Sequence, residues 1–180
     1  KLQTDHIDFY LMHGLTWERW PKLKELKLLQ KAEKAKADGR IKHICFSFHD
    51  TPDLFKEIVD GYDDWAMCLV QHNYMNEDFQ AGSEGVAYAA SKGIAVAIME
   101  PLMGGGLINP SPEVMEVFQS APVQRAPADW ALQWLWNKQE VGVVVSGMSA
   151  MQHVKENLAS AEKSGIGTLS AEEMEIITKA

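Results

Sequence analysis

Two cysteines, Cys45 and Cys68, are all that the 180 residues contain, and they form no CxxC spacing. Both fall inside apolar runs. They read as small buried hydrophobes rather than as a disulfide or metal framework, and a reducing cytoplasm is the expected compartment. Long apolar runs are missing as well: no stretch approaches the length of a membrane-spanning helix, and the start shows no secretory pattern. Positive charge is in short supply, with 17 Lys and Arg against 25 Asp and Glu and a formal net charge of -8. That balance argues against a surface for nucleic acid or for an anionic membrane. No solenoid repeat is present. Nor does GxGxxG follow any early strand, so an open dinucleotide-binding sheet would lack its fingerprint.

What is there is 46% hydrophobic, enough for one globular domain with a sizeable core. Short apolar runs at Ile7–His13, Ile41–Ser47, Met67–Tyr74, Gly93–Glu100 and Val141–Gly147 are continuous rather than alternating. Such runs are expected of parallel strands covered on both faces. Between them lie helix candidates at Pro21–Ala37, Pro52–Gly61, Ala81–Lys92, Ala126–Asn137 and Met151–Lys163. Each gap is long enough for the crossover that a parallel pair needs. Gly39 and Gly93 are placed to stop helices, and Ser170 with Glu173 forms a capping-box pattern opening a last helix to about Lys179. Pro101–Pro127 is a long connection with one short helix near Glu113–Gln119; connections of that length are commonly functional. Strict alternation means an α/β fold. A complete eight-stranded barrel takes about 250 residues, so the pattern leaves an incomplete barrel or an open sheet without the dinucleotide fingerprint.

The strand ends carry the polar groups: His13-Gly14, Ser47-Phe48-His49, Gln71-His72-Asn73, Glu100-Pro101 and Ser146-Gly147. In barrel enzymes the chemistry sits at the carboxyl ends of the strands. Gly104, Gly105 and Gly106 let backbone amides approach a pyrophosphate, and the helix start after Ser149, with Ser149 as its cap, is a second phosphate candidate. A metal set is not expected, since no HxH occurs and adjacent strand residues such as Gln71 and His72 face opposite sides. Trp130 and Trp134 share one helical face and are read as core, as are Leu23, Leu26 and Leu29 on the charge-rich first helix.

In this order the motifs resemble the aldo-keto reductase family. Thr4–Gly14 is similar to its fourth strand, Gly39–Ser47 to the fifth, Val70–Tyr74 to the sixth and Gly93–Leu102 to the seventh, while Val144–Ser149 and Val154–Leu158 are similar to the eighth strand and its helix. The resemblance implies a partial TIM (β/α)8 barrel, strands 4 to 8 with their helices, over residues 1–180 as a single domain with the N-terminal strands absent. It is nearest to a bacterial subgroup reading Glu100-Pro101-Leu102, whose members often carry a ferredoxin-like iron–sulfur tail.

Carried over residue by residue, the resemblance makes His13 the catalytic histidine that orients the substrate carbonyl. Ser47 and Gln71 would hold the nicotinamide carboxamide, and Met99 would lie against its ring. Glu100, Leu102 and Gly104 would line the pyrophosphate path, with Gly147, His153, Glu156 and Asn157 at the adenosine end. Phe48 stands where the family usually has Asn, and Gly147 and His153 where NADPH-preferring members place Lys and Arg. NADP is the implied cofactor, with NAD open. The implied activity is hydride transfer between NAD(P)H and an aldehyde or ketone. The alternative is a non-catalytic, nicotinamide-binding regulatory module of the same fold. The family's Tyr, Lys and Asp have no counterpart here, because Tyr10, Tyr62, Tyr74 and Tyr88 fall elsewhere in the pattern. Losing a general acid costs roughly 10²–10⁴-fold, so this stretch alone is expected to be an inactive fragment. The expected partner is a small carbonyl compound.

Overall fold

A computed structural model describes residues 3–180. Five strands, β1 (Ile7–Leu15), β2 (Ile41–Phe48), β3 (Met67–Gln71), β4 (Ala95–Met99) and β5 (Val141–Val144), alternate with helices. The helices are α1 (Arg19–Glu25), α2 (Leu28–Ala37), α3 (Pro52–Asp60), α4 (Gly82–Ser91), α5 (Pro112–Gln119), α6 (Pro127–Trp136), α7 (Met151–Ala161) and α8 (Ala171–Lys179). The chain divides into two compact units. One holds the residues up to Gln71 together with Asp78–Ala97, the other His72–Glu77 and Ile98–Ala180.

In the first unit β1 pairs in parallel with β2, and β2 with β3. The Ala95 amide donates to the Ala66 carbonyl at 3.1 Å where β4 begins. Aromatic side chains fill the core: Phe46 lies 4.7 Å from Trp65 between ring centroids, and Phe48 meets Phe55 edge-on at 5.1 Å. Pro52 opens α3, and Leu54, Phe55, Ile58 and Val59 form its buried stripe, at the spacing a one-sided helix requires. The expected covering of both strand faces holds for the C-terminal half of β2 but not for β1. Ile7, Phe9 and Tyr10 are exposed there, Phe9 by 52%. At β5, in the other unit, Val143 is likewise 53% exposed.

The single helix expected over Pro21–Ala37 is two. Lys27 adopts a left-handed conformation, φ 53°, between α1 and α2. One such residue ends the α1 ladder and re-aims the chain, which leaves Leu26 at 51% exposure rather than inward as expected. Leu23 is buried and Leu29 half-buried. Three strands are also shorter than the apolar runs. β3 stops at Gln71, after which the Asn73 side chain accepts from the Met75 and Asn76 amides and turns the chain. β4 lies between Gly93 at φ 78° and Glu100 at φ 55°, both left-handed and unsuited to a ladder.

In the second unit the Val145 amide donates to the Ile98 carbonyl at 2.8 Å, setting the start of the β5 loop beside the end of β4. Helix α6 carries the core: Trp130, Leu132, Trp134 and Leu135 are all buried. Buried Gln133 donates to the Ser160 carbonyl at 2.7 Å and to Asp129 at 3.2 Å, tying α6 to α7. The capping box expected at Ser170 and Glu173 is formed, and Arg125 donates to the Glu173 carboxylate at 2.7 Å. A buried amide or guanidinium is tolerated only when paired in this way.

His72 is fully buried in this unit, its ring 5.0 Å from that of Trp134. Desolvation, with the Lys138 charge adding to it, depresses its pKa from 6.5 to about 4. A neutral histidine buried in the fold stabilises it fully above the unfolded pKa, and that contribution is lost as pH falls from 6.5 toward 4. The shift corresponds to up to about 3 kcal/mol. Urea unfolding at pH 7 and pH 4 should therefore show a loss of that order, and His72→Phe should flatten the slope. An unchanged slope in the variant would place the acid sensitivity elsewhere.

Candidate functional site

Within the first unit the ladder between β1 and β2 contains an irregularity. Met12 pairs with Phe46 and Leu15 with Phe48, so His13 and Gly14 together face Ser47. This is a β-bulge, and Gly14 supplies the left-handed residue it needs, at φ 62°. The Gly14 amide donates to Ser47 Oγ at 2.7 Å, and Ser47 Oγ lies 3.2 Å from His13 Nδ1. Ser47 is 1% exposed, whereas His13 is exposed. Arg19 Nη1 donates to the Gly14 carbonyl at 3.2 Å and to the His13 carbonyl at 3.4 Å, pinning the bulge from the other side. Gln71 is half-buried at the end of β3. Phe48 is turned into the core against Phe55, so its side chain is spent on packing.

The second unit holds a cavity of about 530 Å³. Seven residues singled out in the sequence line it: Glu100, Leu102, Gly104, Gly147, His153, Glu156 and Asn157. Met99 does not line it; it is half-buried at the end of β4. The loop that walls the cavity is built from left-handed residues, Glu100, Met103, Gly104 and Gly105, with φ of 55°, 49°, 62° and 93°. Only glycine takes such angles freely. The two non-glycine positions are held by neighbours: Asn73 Nδ2 donates to the Glu100 carbonyl at 3.1 Å, and the Met103 amide donates to that same oxygen at 3.1 Å. Within the expected irregular segment, Met103–Ile108 holds short 3-10 turns interrupted by a kink at left-handed Gly104 and Gly105.

On the opposite wall, Asn157 Nδ2 donates to Ser146 Oγ at 3.2 Å, and Gln152 Nε2 donates to Glu156 at 2.7 Å. The expected cap Ser149 is displaced. Ala150 occupies the cap position of α7 in extended backbone and makes no side-chain bond. A hydroxyl one residue too early cannot reach the second or third helical amide. The start of α6, Ala126–Ala128, also lines the cavity and was not singled out in the sequence. Its one signal is Pro127 at the first helical position. Among the described residues no group of three or more His, Cys, Asp or Glu could hold a metal ion. Nor is any helix there long and apolar enough to cross a membrane. Burial raises the Cys45 thiol to about 11 and the Cys68 thiol to about 12, so neither is a nucleophile near neutral pH.

Five parallel strands alternating with helices, with polar and glycine-rich loops after the strands, define an α/β protein of the TIM-barrel type. The profile of the Aldo/keto reductase family matches residues 1–180, and the chain belongs to that family. It is 26% identical over 161 residues to an uncharacterized oxidoreductase of Schizosaccharomyces pombe, covering 89% of this chain and 49% of that protein. Among solved structures it is similar to the holo form of aldo-keto reductase AKR11C1 from Bacillus halodurans, with a TM-score of 0.79 and 25% identity, over 99% of this chain and 60% of that one. The thermostable aldo-keto reductase Tm1743, solved with the inhibitor epalrestat, shares the fold at a TM-score of 0.72 and 20% identity, over 98% and 61%. The chain thus spans about half the length of its curated relative and about 60% of the solved ones. The described strands match part of a reductase barrel, and the family supports an oxidoreductase role.

Proposed function

We propose that the whole protein transfers a hydride between a nicotinamide cofactor, NAD(P)H, and an aldehyde or ketone, and that this chain supplies the C-terminal part of the reductase barrel. The single observation that carries the reading is the cavity whose lining gathers Glu100, Leu102, Gly104, Gly147, His153, Glu156 and Asn157. Its volume falls in the range of roughly 300–1,000 Å³ that small-molecule sites occupy. The residues present suit a nucleotide. Left-handed backbone at Gly104 and Gly105 keeps the loop free of side-chain bulk where a pyrophosphate would run. Asn157 and Glu156 offer a donor and an acceptor for the adenosine end. When bound, the cofactor supplies the hydride.

Ser47 and Gln71 would hold the carboxamide. Ser47 has already accepted one hydrogen bond from Gly14; a hydroxyl oxygen accepts two, so it has one acceptor position left for the amide. Met99 would pack against the nicotinamide ring. His13, exposed at the bulge, would donate to the substrate carbonyl and stabilise negative charge there as the hydride arrives. Buried, unreactive Cys45 and Cys68 suit a reducing cytoplasm.

Glu156 brings a carboxylate to the adenosine end of the cavity. Carboxylates accept from ribose hydroxyls and repel a 2′-phosphate. Calorimetric titration of the whole protein should therefore give micromolar-range binding of both nucleotides, with NADH tighter by about threefold to tenfold. Binding of neither NADH nor NADPH would remove the proposed function. Tighter NADPH would keep the function and reverse the preference.

A further inference from the structure

The bulge opposite Ser47 makes that serine more than a ligand for the carboxamide. We infer that Ser47 is a positioning residue that fixes the proton of His13 on Nε2. The inference rests on the proposed role of His13 but is reached from the hydrogen bonds alone.

A hydroxyl has one proton to donate and two lone pairs with which to accept. Ser47 Oγ accepts from the Gly14 amide at 2.7 Å, so one lone pair is committed. Its other contact is His13 Nδ1 at 3.2 Å. Two arrangements are open. If Nδ1 carried a proton it would donate to Oγ, and the hydroxyl proton of a serine that is 1% exposed would need an acceptor. Among the described residues Ser47 Oγ makes these two hydrogen bonds and no other, and a buried donor without a partner costs about 1–3 kcal/mol. If instead the hydroxyl donates to Nδ1, both contacts are satisfied. The ring proton then sits on Nε2, the nitrogen on the far side of the ring from Ser47. Because His13 is exposed, Nε2–H is available to a carbonyl oxygen.

The bulge is what permits this. An unbroken parallel ladder would set one β1 residue opposite Ser47. The extra residue between Met12 and Leu15 brings both the Gly14 amide and the His13 ring within reach of one oxygen. Gly14 in left-handed backbone holds the inserted residue, and the two Arg19 bonds to the His13 and Gly14 carbonyls oppose its relaxation. No atom is transferred; the serine acts through the tautomer and orientation of the imidazole, a role that the partner of a catalytic histidine commonly serves.

Nitrogen-15 NMR of the protein labelled at histidine tests this directly. With the His13 ring neutral, the expected spectrum has the proton on Nε2, and Nδ1 displaced from the free-imidazole value in the direction of an acceptor of a hydrogen bond. Ser47→Ala should return Nδ1 to the free value, and Ser47→Thr, which keeps the hydroxyl, should restore the displacement. A proton found on Nδ1 in the unmodified protein, or an Nδ1 signal unmoved by Ser47→Ala, overturns the inference. Kinetics of the whole protein add a second discriminator. Positioning through His13 predicts that Ser47→Ala lowers kcat about tenfold at saturating cofactor, over and above any affinity lost with the carboxamide contact. Loss of cofactor affinity with kcat intact would make Ser47 a carboxamide ligand only, and so would overturn it as well. The NMR result stands whether or not the whole protein reduces carbonyls, so failure of the proposed function and failure of this inference remain separate.

Discussion

His13→Ala in the whole protein should lower kcat for carbonyl reduction by about 100- to 1000-fold, the cost of removing one preorganised donor from a developing oxyanion. KM for the cofactor should hardly move, because the imidazole would face the substrate and not the nucleotide. The effect should exceed that of Ser47→Ala. The serine acts on the ring through one hydrogen bond at Nδ1, whereas His13 would itself meet the reacting oxygen. His13→Gln should fall between the two. A glutamine amide can donate, but it offers the Ser47 hydroxyl no ring nitrogen at the same place, so its orientation is less well held. Steady-state rates of nicotinamide oxidation at saturating carbonyl measure all three. A loss under about tenfold for His13→Ala would take His13 out of the chemistry and favour a binding module without catalysis.

How far such a site could be read from the sequence depended on whether the signal was local. The polar groups at the carboxyl ends of β1, β2, β3 and β4 were visible because each interrupts or closes an apolar run. The seven cavity residues were visible because they sit in short, recognisable strings on either side of α5 and α6. The capping box at Ser170 was equally plain, since a serine followed three residues later by a glutamate needs nothing beyond its own helix turn. The bulge at His13-Gly14 was not visible. A register shift is a relation between two strands, and β1 carries no local mark of it beyond a glycine that could equally have ended the strand. The hydrogen bonds of Ser47 to Gly14 and His13 went unread for the same reason, each crossing more than 30 residues of chain. The break at Lys27 was hidden differently. Lysine has good helix propensity, and nothing in Glu25–Leu28 signals a left-handed residue. Ser149 failed as a cap by a single residue, which is within the ordinary uncertainty of a helix boundary.

Trp130→Ala should be the most destabilising single change in the second unit, costing about 3–5 kcal/mol in urea unfolding. The indole is 0% exposed, stacks on Phe118 with centroids 5.6 Å apart and planes 12° from parallel, and lies 5.3 Å beneath the Arg125 guanidinium. Its removal leaves a large cavity under α5 and α6. It also strips one partner from a cation that already pairs with Glu173 and Asp129. Trp130→Phe should cost far less, about 1–2 kcal/mol. The phenyl ring preserves the stack on Phe118, and the substitution deletes an Nε1–H that is buried with no hydrogen-bond partner among the described residues. The lost volume and the relieved donor then act in opposite directions. Were Trp130→Phe to cost as much as Trp130→Ala, the indole N–H would have to be bonded in solution, and the core of α6 would depend on that polar contact more than on its packing.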